Sequence, residues 1–307
     1  MTTLSGHRIL VTGPAGQIAF PLASALAARN EVWGIARFGD AASRERCERA
    51  GIRTRAVDLA APDWGDLPED FDYLLHLAAV IPPGWDFDAS MRVNAEGTGN
   101  LMRRFRGAKA CLVMSTCGVY LPAADPLKPI VEGDPLGGSN QPYAPTYCVS
   151  KIAQEAVAKF AAQAYALPTT IARMNAAYGA NGGLPAILLE MILAGQPIPW
   201  FHGRPPVLSP IHEEDILAHV PGLLAAASVP ATITNWGGDE PVDMREMALY
   251  LGELTGRSVQ LVESPDGIQQ SLLDHSRRLA LAGPCAVRWK DGLRRMVAER
   301  HPEALRG

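Results

Sequence analysis

Tyr147 and Lys151 are the two residues of this 307-residue sequence whose types and spacing suit them to proton transfer. Residues four positions apart lie on one face of an α-helix, so the phenol and the ammonium group would be neighbours. A neighbouring positive charge lowers the pKa of a phenol, and such a tyrosine exchanges a proton with a substrate hydroxyl or carbonyl. The alternative is a half-buried tyrosine beside a solvated lysine, and the spacing alone leaves both interpretations open.

The segment that carries this pair is predicted to be a helix. Pro145 suits the first helical turn, and apolar residues follow at helical intervals. This period predicts one buried stripe of apolar side chains, formed by Val149, Ile152, Ala153, Ala156, Val157 and Phe160.

A strand, a glycine turn and a helix near the N-terminus predict a dinucleotide site. The apolar run at residues 8–12 leads into Gly13 and Gly16, and Ala19 stands where a third glycine is usual. Glycines let the backbone approach a pyrophosphate, whose charge then sits at the N-terminus of the helix. The residues predicted to hold the pyrophosphate are Gly13, Gly16, Gln17 and Ile18.

The end of the second strand indicates which dinucleotide is bound. An acidic residue at this position would bind the adenosine ribose of NAD, whereas an arginine accommodates the 2′-phosphate of NADP. Here the strand ends in Ala36 and Arg37, so the sequence favours NADP. Asp40 is close enough to keep NAD as an alternative.

Further strand ends supply other candidate contacts. Asp58 follows the third strand and is predicted either to accept a hydrogen bond from adenine or to cap a turn. His76, in the next strand, is expected to be a packed core residue. Thr116 ends a later strand, where its hydroxyl is placed to bind a substrate oxygen, because ligands of open α/β sheets bind at the carboxyl ends of the strands.

The order of elements predicts the fold class, which is α/β. Strands and helices alternate up to about residue 175, as in a doubly wound parallel sheet. The remainder is predicted to form a smaller C-terminal α/β lobe, with a helix at 211–227 and a strand at 259–262. We therefore expect a dinucleotide-binding domain over residues 1–175, with a returning segment near 207–236. Residues 176–307 would mainly form the substrate-binding lobe.

The composition of the chain limits which binding partners and which cellular location we expect. The net charge is −4 with charges of both signs interspersed, which argues against nucleic acid. No apolar run approaches the ~18 residues of a membrane span, and no signal peptide is recognised. The five cysteines show no metal-binding spacing. We expect a cytoplasmic protein that acts on a small molecule, without a metal.

Motifs in the same order along the whole chain resemble the extended short-chain dehydrogenase/reductases, also called the NAD-dependent epimerase/dehydratase family. The matching residues are Thr12-Gly13-x-x-Gly16, His76-Leu77-Ala78-Ala79, Asn94-x-x-Gly97-Thr98, Ser115-Thr116-x-x-Val119-Tyr120, Tyr147-x-x-x-Lys151, Arg173-x-Asn175-x-x-Tyr178-Gly179, Ile211-His212-x-x-Asp215 and Asp274-x-Ser276-Arg277.

The resemblance implies an oxidoreductase-type enzyme with a Rossmann domain, a homodimer and a catalytic set of Thr116, Tyr147 and Lys151. Thr116 would hold the substrate oxygen, Tyr147 would move its proton, and Lys151 would lower the pKa of Tyr147 and bind the nicotinamide ribose. The full set of implied cofactor-binding residues is Gly13, Gly16, Gln17, Ile18, Arg37, Asp58, Leu59, Leu77, Ala78, Ala79, Asn94, Tyr147 and Lys151. The candidate substrate-binding residues are Val80, Cys117, Asn175 and Trp200.

Departures from the family pattern reduce the range of substrates and reactions that we expect. Sugar-nucleotide dehydratases carry an Asp and a Glu where this chain has Cys117 and Gly118, so dehydration is not expected. Family members that bind nucleotide-diphospho-sugars carry an arginine where this chain has Leu208, and an apolar side chain cannot neutralise a diphosphate. Arg204 is a possible substitute, and Asn175 matches a position that contacts substrate phosphate in that group.

The expected function is therefore hydride transfer at a secondary alcohol or ketone carbon of a small metabolite, with NADP preferred and NAD as the alternative. A nucleotide-sugar 4-epimerase with tightly bound NAD is a second hypothesis. A non-catalytic dinucleotide sensor is a remote third, because such proteins tend to lose the Tyr–Lys pair that this chain keeps.

Overall fold

A parallel sheet forms the centre of the computed structural model, which describes residues 4–81, 84–138, 144–201, 203, 205–265, 267 and 271–306. Seven strands of this described part make up the sheet. From one edge to the other they are β12 (Thr232–Trp236), β6 (Thr169–Met174), β5 (Ala110–Thr116), β4 (Tyr73–His76), β1 (Arg8–Thr12), β2 (Glu31–Ala36) and β3 (Arg53–Ala56).

Helices cover both faces of this sheet, as the doubly wound prediction requires. Side chains alternate between the faces of a strand, so Ile9 and Val11 of β1 pack on one side and Leu10 on the other. The first face is covered by α1 (Ala19–Ala27) and α7 (Glu213–Ala225), and the second by α4 (Gly97–Arg104) and α5 (Tyr147–Ala164). The predicted fold class is confirmed.

The remaining helices of this half are short. They are α2 (Ala41–Arg49) and α3 (Phe87–Met91). A π-helical turn at Arg92–Glu96 separates α3 from α4, and a 3₁₀ turn at Cys117–Val119 follows β5. A π-helical turn is wider than an α-helical one and often occurs at functional sites, whereas a 3₁₀ turn is tighter.

The second lobe packs three helices around its own apolar core. They are α6 (Leu184–Leu193), α8 (Met244–Thr255) and α10 (Trp289–Arg300), and α9 (Ser276–Ala282) packs against α7 instead. Short strands complete the lobe: β7 (Ala176–Gly179), β8 (Gly182–Gly183), β9 (Ile198–Phe201), β10 (Val207–Leu208), β11 (Pro210–His212), β13 (Val242–Asp243) and β14 (Leu261–Ser264).

Two predicted elements of this lobe were wrong in detail. The segment 211–227 begins as strand β11, which pairs with β7, and becomes helical only at Glu213, where His212 caps the helix. The predicted strand at 259–262 lies at Leu261–Ser264, where it pairs with β9. Strand β12 joins the sheet of the first half beside β6, while the division of the chain at residue 175 stays a prediction.

The predicted apolar stripe of α5 was also wrong. Val149 and Phe160 are 39% and 68% exposed, whereas the face that packs against the sheet carries Ser150, Lys151 and Glu155, all buried. A helical period identifies a face but cannot say which face is covered. Here the polar side chains are buried because each of them finds a hydrogen-bond partner, which offsets the cost of removing it from water.

An ion pair between Glu155 of α5 and Arg173 of β6 lies at the centre of this buried face. Both side chains are about 1% exposed. The guanidinium donates to both carboxylate oxygens, at 2.9 and 2.7 Å, and the hydroxyl of Ser115 on β5 donates to the same carboxylate at 2.6 Å. The carboxylate therefore fastens α5 to two neighbouring strands.

Removing one partner of this pair should destabilise the protein strongly. We expect Glu155→Gln to lower the free energy of unfolding by about 3–5 kcal/mol, because Arg173 would keep a buried charge without its counterion. Denaturant unfolding measures the change. The matched control is Lys159→Met, which removes an exposed partner 4.0 Å from the same carboxylate and should cost at most about 1 kcal/mol. Equal losses in the two variants would contradict the prediction.

Candidate active site

A groove of about 550 Å³ opens at the carboxyl ends of β1, β2 and β4. Of the thirteen residues predicted to contact the cofactor, ten line this groove: Gly13, Gly16, Gln17, Ile18, Arg37, Asp58, Leu59, Leu77, Ala78 and Ala79. Gly13 has a φ of 66°, and a Cβ there would come within 3.2 Å of the Cα of Ala78. A glycine and an alanine thus keep the groove open, as an extended dinucleotide requires.

Hydrogen bonds fix the strand ends behind the groove. The hydroxyl of Thr12 accepts from the backbone N–H groups of Leu77 and Ala78, at 3.0 and 2.9 Å. It donates to Nδ1 of His76, whose Nε2 donates to Thr98. Thr98 already donates to a backbone carbonyl and so accepts from the histidine, which fixes a neutral ring. Burial lowers the pKa of His76 to about 3, and its role is structural.

The two charged residues among those that line the groove are Arg37 and Asp58. Arg37 is exposed on the rim, and no ion pair to it is found in the described part of the chain. The carboxylate of Asp40 instead accepts from the N–H and hydroxyl of Ser43 at the start of α2, both at 2.7 Å, and these bonds lower its pKa. Asp58 accepts from the N–H of Ala60 and therefore also caps a turn.

The second lobe holds the glycine turn through residues that the sequence did not single out. Asn181 donates to the carbonyl oxygens of Gly16 and Gln17, at 3.2 and 2.8 Å. The side chain of Gln17 donates in turn to the carbonyl of Ala177, at 3.1 Å. The turn thus contributes backbone groups to the groove, while the amide of Gln17 joins the two halves. A polar residue distant in sequence gives no pattern from which this contact could be found.

Lys151 is connected to the groove through one of the residues that line it. It is buried, and its ammonium group donates to the carbonyl of Met114, which lines the groove. Burial lowers the pKa of Lys151 to about 7, an effect that Glu155 partly opposes. The lysine is therefore a structural part of the site rather than the solvated residue of the alternative interpretation.

Thr116 and Tyr147 lie on the two elements that Lys151 and Glu155 join. Thr116 ends β5, and its hydroxyl accepts from the N–H of Gly118 at 3.2 Å. Tyr147 is half-buried and is the first residue of α5, one turn before Lys151. The bonds from α5 to Met114 and Ser115 dock the start of this helix against the end of β5.

Asn94 does not line the groove, although the family resemblance implied a cofactor contact. It is fully buried in the π-helical turn. Its side chain pairs with both the N–H and the carbonyl of Val80, at 2.8 and 2.9 Å, and donates to Ser150 at 2.9 Å. Ser150 donates to the carbonyl of Tyr147. Asn94 therefore connects the groove edge at Val80 with the first turn of α5.

The four candidate substrate-binding residues lie on four different segments of the chain. Val80 lines the groove, and Cys117 follows Thr116 with burial raising the pKa of its thiol to about 12. Asn175 lies just beyond Met174, the residue paired with Thr116, but its amide donates to the carbonyl of Ser271 and accepts from the N–H of Ser209. Trp200 packs against the core of the second lobe.

The positions that distinguish diphosphate-binding family members are apolar or lie outside the described residues. Leu208 is fully buried in the core of the second lobe, so no cation occupies its place. Arg204, the possible substitute, lies outside the described residues. Arg245 stacks over Trp200, 4.7 Å from the ring centroid, but its charge is paired with Asp243.

Comparison with known proteins identifies relatives by family and by fold. A family model described as the NAD dependent epimerase/dehydratase family matches residues 9–226. No curated protein sequence matches the chain.

No helix in the described part of the chain is long and apolar enough to cross a membrane.

Solved structures resemble the chain over almost its whole length. A UDP-glucuronic acid 4-epimerase from Bacillus cereus, in complex with UDP-glucuronic acid and NAD, is 21% identical and has a TM-score of 0.81, covering 96% of this chain and 99% of its own. A UDP-N-acetylglucosamine 4-epimerase from Methanobrevibacter ruminantium is 18% identical, with a TM-score of 0.82 and coverages of 98% and 100%. At these identities the likeness shows a shared fold.

The lowered pKa of Lys151 predicts how stability depends on pH. Between about pH 7 and its ordinary pKa of 10.5, the unfolded chain binds more protons at this lysine than the folded chain does. The free energy of unfolding should therefore rise with pH across this range. Denaturant unfolding without added dinucleotide should show a flatter dependence in Lys151→Met. Lys109→Met, at an exposed lysine paired with Asp72, should retain the wild-type slope, and identical slopes in all three proteins would refute the prediction.

Proposed function

The chain belongs to the NAD dependent epimerase/dehydratase family, and on that premise we propose that it transfers hydride at a secondary alcohol or ketone carbon of a small metabolite. The observation that carries the proposal is the buried Lys151, fixed to the groove residue Met114 one helical turn after Tyr147. A nicotinamide dinucleotide supplies the hydride chemistry when bound, and the protein supplies position and charge.

Each catalytic residue has a distinct role in this proposal. Thr116 holds the substrate oxygen through its hydroxyl, and Tyr147 gives a proton to that oxygen or takes one from it. Lys151 favours the phenolate form of Tyr147 by its charge. Support comes from the bonds that dock α5 on the end of β5, because Lys151 donates to the groove residue Met114 and Ser115, the neighbour of Thr116, donates to Glu155.

Two features at the end of β2 support binding of a dinucleotide whose ribose carries a 2′-phosphate. Ala36 and Arg37 end β2, and Asp40 is occupied in capping α2. Arg37, to which no ion pair is found among the described residues, offers a counter-charge for phosphate at the rim, and the sequence places no carboxylate at Ala36 to bind the ribose hydroxyls of NAD. We therefore propose that the enzyme prefers NADP, with NAD as the alternative.

A nucleotide-sugar 4-epimerase is the second candidate, favoured by the activities of the similar solved structures. Leu208 and the occupied amide of Asn175 oppose it, because neither offers a charge or a free donor to a diphosphate. NAD that co-purifies with the protein, together with a higher melting temperature in the presence of UDP-sugars, would favour this candidate.

A homodimer also stays a proposal. The outward face of α5 carries Val149 and Phe160, and exposed apolar side chains along one helix suit a helix-to-helix contact between two subunits. A molar mass near twice that of the 32.8 kDa chain in light scattering would support it, and a monomer mass would contradict it.

Loss of the Tyr147 hydroxyl should abolish most of the activity. We expect Tyr147→Phe to lower kcat by about 100- to 10,000-fold, the usual contribution of a positioned acid or base, while cofactor affinity changes little. Steady-state oxidation of the reduced dinucleotide against a carbonyl panel measures kcat. Tyr165→Phe, at the other end of the same helix, is the matched control and should retain full activity. Unchanged turnover in Tyr147→Phe would exclude the proton-transfer role.

Arg37 should decide between the two dinucleotides. We expect Arg37→Ala to raise the Kd for NADPH by about 10- to 100-fold, since a charge-assisted bond contributes about 1.5–3 kcal/mol. The Kd for NADH should stay within about twofold, because NADH carries no 2′-phosphate. Calorimetric titration measures both constants. Arg44→Ala, at an arginine of α2 paired with Glu48, is the control, and equal effects on both dinucleotides would show that Arg37 does not read the phosphate.

A further inference from the structure

Two loops meet the first turn of α5, where Tyr147 lies. The first follows Val80 and ends at α3, where Ser90 shares a hydrogen bond with Thr146 at 2.6 Å. The second follows the 3₁₀ turn, and its Gly138 lies against Cys148, since a Cβ on that glycine would be 3.3 Å from the cysteine Cβ. The described parts of both loops, residues 80–81, 84–90 and 120–138, therefore reach the first turn of α5, where the proposed chemistry occurs.

Each loop presents large apolar side chains to solvent at this place. On the first loop, Ile81 lines the groove, and Trp85 is 71% exposed with its ring 6.2 Å from that of Phe87. On the second, Leu121 is exposed beside Gly137, so close that a Cβ on the glycine would overlap its side chain. Ile81, Trp85 and Leu121 are called the apolar rim below. Ile81 lines the groove, and Trp85 and Leu121 are exposed apolar side chains on segments that contact the start of α5, as suits a binding surface.

Among the described residues, the side chains considered above as diphosphate contacts are apolar or already paired. The amide of Asn175 is bonded to backbone groups on two segments of the second lobe, and Leu208 is buried in the core of that lobe. The charge of Arg245 is neutralised by Asp243. A substrate with a diphosphate or carboxylate would give up its hydration without gaining a counter-charge from these residues.

We propose that the substrate is an uncharged ketone or secondary alcohol whose reacting carbon bears an apolar group, which packs against the apolar rim. This inference rests on the proposed function and specifies its substrate class. In the reductive direction the carbonyl carbon accepts a hydride and its oxygen accepts a proton from Tyr147, so the ketone becomes a secondary alcohol while the reduced dinucleotide is oxidised. An indole on the rim offers the apolar group a flat surface at small entropic cost.

A matched pair of ketones tests the substrate class. The probes are 4-phenyl-2-butanone and 4-(4-carboxyphenyl)-2-butanone, which differ only in one charged group, and UDP-glucose serves as a nucleotide-sugar probe. We expect the neutral ketone to have the higher kcat/KM by at least about tenfold, and UDP-glucose to give no epimerised product. A kcat/KM that is equal for the two ketones, or higher for the charged one, would overturn the inference and leave the proposed hydride transfer intact.

Variants on the rim give a second, independent test. Trp85→Ala should raise the KM for the neutral ketone by about tenfold while kcat and the Kd for NADPH are retained. Leu249→Ala removes a similarly exposed apolar side chain on α8 and should change nothing. An unchanged KM in Trp85→Ala would show that the rim does not hold substrate. If neither ketone is turned over, the proposed function fails and this inference fails with it, whereas epimerisation of UDP-glucose would replace both with the second candidate.

Discussion

The buried pairing of Glu155 with Arg173 is the interaction on which the rest of the site depends. Two opposite charges with almost no exposure persist only when each is well hydrogen-bonded, since the cost of removing them from water is large. Here the carboxylate accepts from Arg173 and Ser115, and it lies one helical turn after Lys151. The pair thereby sets how α5, which carries Tyr147, sits on the strand that ends in Thr116.

Arg173 also bonds to the loop that follows β5. Its second terminal nitrogen donates to the hydroxyl of Tyr120 and to the carbonyl of Glu132, at 2.9 and 3.0 Å. Tyr120 donates in turn to Asn235 on the edge strand, and Asn235 donates to the carbonyls of Ile130 and Asp274. The loop that presents Leu121 is therefore anchored to the buried charge pair at one end and to α5 at the other. A rigid framework of this kind lets loop residues vary without moving the side chains at the start of α5 and the end of β5.

Several polar residues that the family resemblance assigned to ligands also hold the framework together. The amide of Asn94 holds Val80 and Ser150, that of Asn175 holds two backbone segments, and that of Gln17 joins the lobes. These three amides bond to the framework for the same reason. A buried or half-buried hydrogen-bond donor needs an acceptor, and a backbone carbonyl is always nearby. Residue type and position in a motif thus predict where a side chain lies better than they predict what it binds.

The sequence by itself determined the alternation of strands and helices and the glycine turn, because these features are local. Together with the family resemblance it also identified ten of the residues that line the groove, at the edge where parallel strands present their carboxyl ends. Tertiary structure alone decided which face of α5 is covered, that Asp40 caps a helix, and that Asn181 holds the glycine turn from the other lobe. These outcomes depend on partners distant in the chain. Whether a polar side chain is buried is settled by the free energy of the hydrogen bonds it finds there, which no spacing along the sequence records.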